Sequence, residues 1–146
     1  MRVSETLYPL EKGKHMNQEM SAAFCITGLG IAPEEITRVL GITPTKTWLV
    51  GESIQQTGLR HKQNGWCIAT AAEVVSLEET TQQLLAVLSP KANAINELCS
   101  KHDLDRELNC AIYVVNETPA VNFSRGVIVA LAEIGASIDV DIILTA

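Results

Sequence analysis

The residues best suited to bind a ligand are two tryptophans and an arginine in the first half of the chain. Trp48, Arg60 and Trp66 lie close together in the sequence, and Thr45 precedes them. A guanidinium grips a carboxylate or a phosphate with a planar fork, and an indole offers a flat face for stacking. If the polar segment 51–64 folds over the strand that carries Trp66, these residues would line a niche for a small anion. The alternative is that both tryptophans pack in or beside the core and Arg60 is a solvated charge.

Two aspartates and a tyrosine near the C-terminus form a second candidate set. Asp139 and Asp141 alternate with apolar residues, so their carboxylates would lie on one side of a strand, about 7 Å apart. They could bind a cation or act as an acid pair, and Tyr113 would share their open sheet face. The alternative is a solvated strand surface or charges that deter edge-to-edge pairing. No further carboxylate is positioned to complete a hard-metal site, so we predict no metal.

The cysteines indicate neither a metal site nor a nucleophile. All four lie in apolar segments without CxxC spacing: Cys25, Cys67, Cys99 and Cys110. This pattern is typical of buried, reduced thiols in a cytosolic protein. Cys25, Cys67 and Cys110 have no histidine nearby in the sequence to act as a base. Gly28 and Gly30 precede a predicted helix, but the full phosphate-binding pattern is absent. We therefore predict a protein that is not an enzyme and has no cofactor.

Composition narrows the class of protein. A chain of 146 residues with 47% hydrophobic and 19% charged residues suits one globular domain with its own core. A formal net charge of −6 disfavours nucleic acid as a partner. No apolar run approaches the roughly 20 residues that span a bilayer, and the N-terminus does not resemble a signal peptide. We expect a cytoplasmic protein without a membrane partner.

Two strand–helix–strand patterns frame the chain. The first covers 22–45, where an alternating strand is followed by Pro33 at a first helical position and by Gly41 as a helix stop. The second begins with a strand at 108–115 and ends with a strand at 138–144. Val39 in the first helix and Ile128 in the second are predicted to face inward.

The predicted order of elements is β-α-β-β-α-β-α-β. We expect an α+β fold with a βαββαβ ferredoxin-like core, extended by a C-terminal αβ unit, and a mostly antiparallel sheet with helices on one face. Residues 1–20 would form an N-terminal arm and 21–146 a single domain. The open face would carry mixed side chains and invite a second layer: Cys25, Thr27, Cys67, Asn109, Tyr113, Asp139 and Asp141.

Several phrases in this order resemble one known family. They are PEEITRVLGITPT at 33–45, Trp48 with Gly51, NGW at 64–66, LSPKANAI at 88–95 and EIGASIDVDI at 133–142. Over roughly 22–144 the chain is similar to the bacterial domain-of-unknown-function family 4279. The resemblance implies a small α+β protein without an established activity and a loose link to immunity-type proteins of bacterial competition systems.

The chain departs from that pattern at two positions. Ala32 stands where an aspartate is commoner, which removes a helix cap worth about 1 kcal/mol. Ile143 lies near a usual tyrosine.

The functional prediction that follows is a non-catalytic module that binds a protein partner or itself, with a homodimer expected and an immunity-like role as one form of it. The alternative is a small-molecule or anion sensor that uses Trp48, Arg60 and Trp66.

Overall fold

The computed structural model describes residues 19–70, 76–117 and 119–144. The predicted arm lies mostly outside these residues, and the first strand already begins at Glu19. The elements of the described part are β1 Glu19–Gly28, α1 Pro33–Leu40, β2 Lys46–Trp48, β3 Asn64–Ala69, α2 Leu77–Leu88, α3 Ala92–His102, β4 Asp105–Val114, α4 Arg125–Glu133 and β5 Ser137–Leu144.

The strands form one open sheet in the order β2-β3-β1-β4-β5. Strand β1 lies in the centre and runs antiparallel to both β3 and β4, and β2 runs antiparallel to β3. Strands β4 and β5 are parallel, which requires a crossover, and α4 lies in that connection. The predicted α+β class with a mostly antiparallel sheet is therefore confirmed. The ferredoxin-like assignment of the first six elements stays a prediction.

Local sequence signals set the helix ends. Helix α1 begins at a proline and ends at Gly41, which adopts a left-handed φ of 67°. The hydroxyl oxygen of Ser76 caps α2 by accepting a hydrogen bond from the amide of Glu79 at 3.1 Å. Pro90 lies in a short 3₁₀ turn at Ser89–Lys91 that separates α2 from α3.

One buried cluster joins the helices to a single face of the sheet. Its sheet side consists of large side chains from β1, β3 and β4: Phe24, Ile26, Trp66, Leu108 and Ile112. Its helix side consists of aliphatic side chains from the four helices: Ile36, Leu40, Leu84, Leu88, Ile95, Leu98, Val127 and Leu131. The helices therefore cover one face, as predicted.

Two side chains predicted to face the core are exposed instead. Val39 is 40% and Ile128 is 52% exposed. In α4 the buried positions are Val127 and Leu131. A helix buries only one stripe, and Ile128 lies about 100° around the helix axis from its neighbour Val127.

The outermost strand shares the layer of the central strand. Phe24 of β1 is paired with Leu108 of β4, and Leu108 is paired with Ile138 of β5. Ile142 lies four residues beyond Ile138 and hence on the same side of the sheet as Phe24. The two strand–helix–strand units thus contribute to one layer, although Ile142 lies outside the buried cluster.

Candidate functional site

The two tryptophans lie on opposite faces of the sheet. Trp66 is fully buried on the helix side, where its Nε1 donates a hydrogen bond to the Oγ1 of Thr37 at 3.0 Å. Trp48 is paired with Gly65, the residue before Trp66, and therefore projects from the open face. The predicted niche that would join both indoles is not assembled as one site.

Arg60 holds the loop between β2 and β3, and Thr45 extends the pairing of these two strands. The Nη1 of Arg60 donates a hydrogen bond to the carbonyl oxygen of Gly51 at 2.8 Å. The amide of Ala69 donates to the Oγ1 of Thr45 at 3.0 Å, and the amide of Thr45 donates to a carbonyl of β3 at 2.8 Å. Both residues thus have a structural part in the fold, and a role in anion binding stays a prediction.

Trp48 is stacked within the protein itself. Its indole lies against the ring of His61, with centroids 4.5 Å apart and planes 18° from parallel. It also lies directly over Gly65, where a Cβ atom would overlap the indole ring. The Nζ of Lys46 is 5.8 Å from the centroid of the Trp48 ring, which is within range of a cation–π contact. The face predicted to stack on a ligand is therefore occupied by His61.

Cys25 and Cys67 form a disulfide, which corrects the prediction of four reduced thiols. They are separated by 42 residues in the sequence, and the register of β1 with β3 pairs them directly, with Cα atoms 4.2 Å apart. No local spacing could reveal this, because strand register alone brings them together. Cys99 and Cys110 are free and buried. Burial raises the pKa of the Cys110 thiol to about 12 and also raises that of Cys99, which makes both poor nucleophiles.

Tyr113, Asp139 and Asp141 share the open face, as predicted. Asp141 is paired with Ala111 and lies between Asp139 and Ile143, the partner of Tyr113. All three candidate side chains are half-buried. In the described part of the chain, no group of three or more His, Cys, Asp or Glu side chains is arranged to hold a metal ion. The binding roles of the three residues stay predictions.

The opposite side of β5 is the largest departure from the pattern expected of a core strand. Its four apolar side chains are exposed, at 39% for Ile138, 39% for Val140, 57% for Ile142 and 79% for Leu144. Strand β5 is an edge of the sheet and packs extensively only against β4 among the described elements. The aspartates on its other side are more buried than these apolar residues. We call the four side chains the β5 stripe.

The architecture defines a small α+β protein with an open sheet whose last strand exposes an apolar stripe. The chain belongs to the family described as Domain of unknown function (DUF4279), whose model matches residues 18–145. This confirms the family resemblance read from the sequence. No curated protein and no solved structure matches the chain.

The sequence predicts that the chain does not span a membrane and that it is cytoplasmic. None of the described helices is long and apolar enough to span a bilayer. The cytoplasmic location stays a prediction, and the disulfide removes the argument from reduced thiols that supported it.

Proposed function

We propose that this chain is a non-catalytic module that associates with a second copy of itself through β5. The observation that carries the proposal is the β5 stripe: four apolar side chains exposed along the whole length of an edge strand. An edge strand with an uncovered apolar side is a template for pairing with another strand. A continuous apolar patch of this kind is typical of an interaction surface.

One side of β5 is apolar and uncharged and the other carries both aspartates, and this difference favours association through the apolar side. Natural edge strands are usually blunted by lysines, prolines or bulges. Strand β5 has none of the first two, and its eight residues pair continuously with β4. Its charged residues, Asp139 and Asp141, lie on the opposite side of the sheet from the stripe. The stripe itself therefore carries no charge that would repel a second copy.

The exposed area suits a modest dimer. The four side chains expose roughly 400 Å² per copy, a size common for functional patches. With the strand edges included, two copies would bury on the order of 1,000 Å², which is near the lower limit for a specific interface. We therefore expect a dissociation constant on the order of micromolar, because area of this size leaves little surplus over the cost of association.

Charge selects the register of such a dimer. If two β5 strands pair antiparallel around a twofold axis at Val140, Asp139 of one copy lies opposite Asp141 of the other. Like charges directly opposite each other destabilise a strand pair. An axis at Ile142 instead sets Val140 opposite Leu144 and Asp141 opposite Ile143. We propose this second register, which joins the two sheets into one.

The oligomeric state tests the proposal. Analytical ultracentrifugation from low to high micromolar concentration should give a mass that rises towards twice the 15.8 kDa of one chain. The double variant Ile142→Lys with Leu144→Lys should remain at the mass of one chain, because the lysines charge the stripe. Leu29→Lys, at another exposed apolar position, is the matched control and should dimerise normally. A wild-type chain that stays monomeric throughout contradicts the proposal.

A cross-link tests the register. Ile142→Cys should form a covalent dimer under mild oxidation, because the two cysteines would face each other across the axis. Val140→Cys should cross-link far more slowly. With the axis at Ile142, position 140 of each copy lies opposite Leu144 of the other, so the two introduced cysteines are four residues apart along the strands. The reverse order of rates would support the axis at Val140 and refute the register proposed.

A further inference from the structure

We propose that the Cys25–Cys67 disulfide is a reducible modification site, at which a small uncharged dithiol enters an adjacent cavity and attacks Cys25. One dithiol reduces one disulfide and leaves two thiols on the open face of the sheet. It is independent of the association through β5.

The sheet holds the two cysteines in place whether or not they are bonded. They occupy directly paired positions on β1 and β3, and the pairing of the two strands continues on both sides, from Ala23 with Ala69 to Gly28 with Asn64. Reduction therefore does not require the strands to separate. The two thiols would stay adjacent and could close again.

Access to the two sulfur atoms is unequal. A cavity of about 280 Å³ opens beside the disulfide and is lined by Cys25 but not by Cys67. Its volume is close to the lower limit of ligand pockets, about 300 Å³, and so suits a small molecule. Cys67 has no exposed surface at all, whereas Cys25 retains 4%. The geometry therefore favours attack at Cys25 over attack at Cys67.

The charges along one row of the sheet differ on the two sides of the disulfide. The residues paired across the five strands in this row are Lys46, Cys67, Cys25, Glu107 and Ser137. Lys46 is the strand partner of Cys67, and we expect its positive charge to favour the departing Cys67 thiolate. Glu107 lines the cavity on the side of Cys25, and Asp105 lines it as well. These carboxylates repel any incoming thiolate, and they repel most strongly a reductant that carries further negative charge.

The guanidinium that borders the cavity does not reverse this preference. Arg106 lines the cavity, but its Nη1 donates hydrogen bonds to the Oδ1 of Asn96 and, at 3.2 Å, to the carbonyl oxygen of Ile134. Its guanidinium is thus held by Asn96 of α3 and by the carbonyl at the C-terminal end of α4. Uncharged or cationic thiols are therefore the expected reactants.

The reaction balances with a dithiol as the reductant. One thiolate of the dithiol attacks the sulfur of Cys25, the Cys25–Cys67 bond breaks, and Cys67 leaves as a thiolate that takes up a proton. The second thiol of the reductant then loses its proton and attacks the reductant's first sulfur, which is bonded to Cys25 in the mixed disulfide. Cys25 then leaves and is protonated, so that the reductant is oxidised to a disulfide and the protein gains two thiols.

The rate of reduction by dithiothreitol, measured by alkylation and mass spectrometry on the full chain, tests the site. The rate should not depend on low concentrations of urea, because no unfolding is needed. Trp48 packs against the disulfide, which quenches indole fluorescence, so its emission should rise at the same rate. Trp48→Phe should abolish that rise. A reduction rate that follows global unfolding would overturn the proposal and leave a purely structural disulfide.

Charge variants test the direction of attack. Lys46→Met should slow reduction by about threefold or more, because a poorer leaving thiolate departs more slowly. Lys62→Met, in the exposed loop, is the control and should react like the wild type. Glu107→Gln should accelerate reduction by mercaptosuccinate, whose carboxylates are charged, more than reduction by dithiothreitol, which has none. Equal effects on both thiols would refute the role of the carboxylates.

Single-cysteine variants test the unequal access directly. In folded Cys67→Ala, the thiol of Cys25 should react with a neutral disulfide reagent faster than the thiol of Cys67 does in Cys25→Ala. Near-ultraviolet circular dichroism checks that both variants are folded. Equal rates, or faster reaction at Cys67, would overturn the proposal.

Discussion

The two edges of the sheet are built in opposite ways. Strand β2 is three residues long, and its indole is covered by His61 from the loop that follows it. Strand β5 is eight residues long, and every second side chain is apolar and exposed. One edge is short and closed by its own connection, which is a common way to prevent pairing with another chain. The other is long and open.

Whether an apolar strand side chain is buried depends on what packs over the strand, and not on the strand's own hydrophobic pattern. Ile112 of β4 and Ile142 of β5 are direct partners on the same side of the sheet. Ile112 is fully buried, whereas Ile142 is 57% exposed. On this side the apolar side chains of β4 belong to the buried cluster, whereas those of β5 are exposed. The same residue type in the same row therefore belongs to the core in one strand and to a surface in the next.

Truncating this pair should give the largest difference. Ile112→Ala should lower the free energy of unfolding by about 2–5 kcal/mol, because it leaves a cavity in the core. Ile142→Ala should cost less than about 1 kcal/mol at dilute concentration, since its side chain is mostly in water. Urea denaturation below the concentration of association measures both. Equal losses would mean that β5 is covered like β4, which would end the contrast between the two strands.

A substitution at the closed edge should have an intermediate effect. Gly65→Ala places a methyl group where the Trp48 indole lies, so the ring must move away from its stack on His61. We expect a loss of about 1–3 kcal/mol in unfolding free energy, typical of overpacking. Urea denaturation measures the loss, and Trp48 emission reports the displaced ring.

The matched glycine for that substitution lies in α4. A Cβ at Gly126 would meet only the Ser124 hydroxyl, at 4.0 Å, so Gly126→Ala should be neutral or stabilising. If Gly65→Ala is equally harmless, the edge at β2 is not held closed by the indole.

A pH effect at the start of α4 should be the smallest. The backbone amide of Ser124 donates a hydrogen bond to Glu78 Oε1 at 2.8 Å, and the interaction with Ser124 holds the pKa of Glu78 below its ordinary value. The unfolded chain then binds the proton more readily than the folded one. The contribution to stability is complete above the ordinary carboxyl pKa and is lost as the pH falls through the folded pKa.

Glu78→Gln should therefore reduce the acid-dependent part of the stability curve, measured by thermal unfolding across acidic pH. Glu133→Gln, at the other end of α4, makes the same change in net charge and is the control. An unchanged acid limb in Glu78→Gln would show that this contact adds nothing to the anchoring of α4.

Some of the candidate site could not be predicted because it depends on strand register. Trp48 and Trp66 each lie in a strand, as their local patterns indicate, but the pairing of Trp48 with Gly65 is what sets them on opposite faces. The disulfide depends on register in the same way, since a shift by one residue would have turned Cys25 and Cys67 to different sides. Hydrophobic patterns encode which residues alternate, and not which residues become neighbours.

Local sequence signals are sufficient to predict the order of elements, the helix ends at Ser76, Gly41 and Pro90, and the alternation of β5. These features depend on backbone preferences and on contacts within a few residues, which are local. The exposure of the β5 edge and the pairing of the cysteines of β1 and β3 arise from contacts between distant parts of the chain. Those outcomes depend on the order of strands in the sheet and on how far the helical layer reaches, which distant segments fix together.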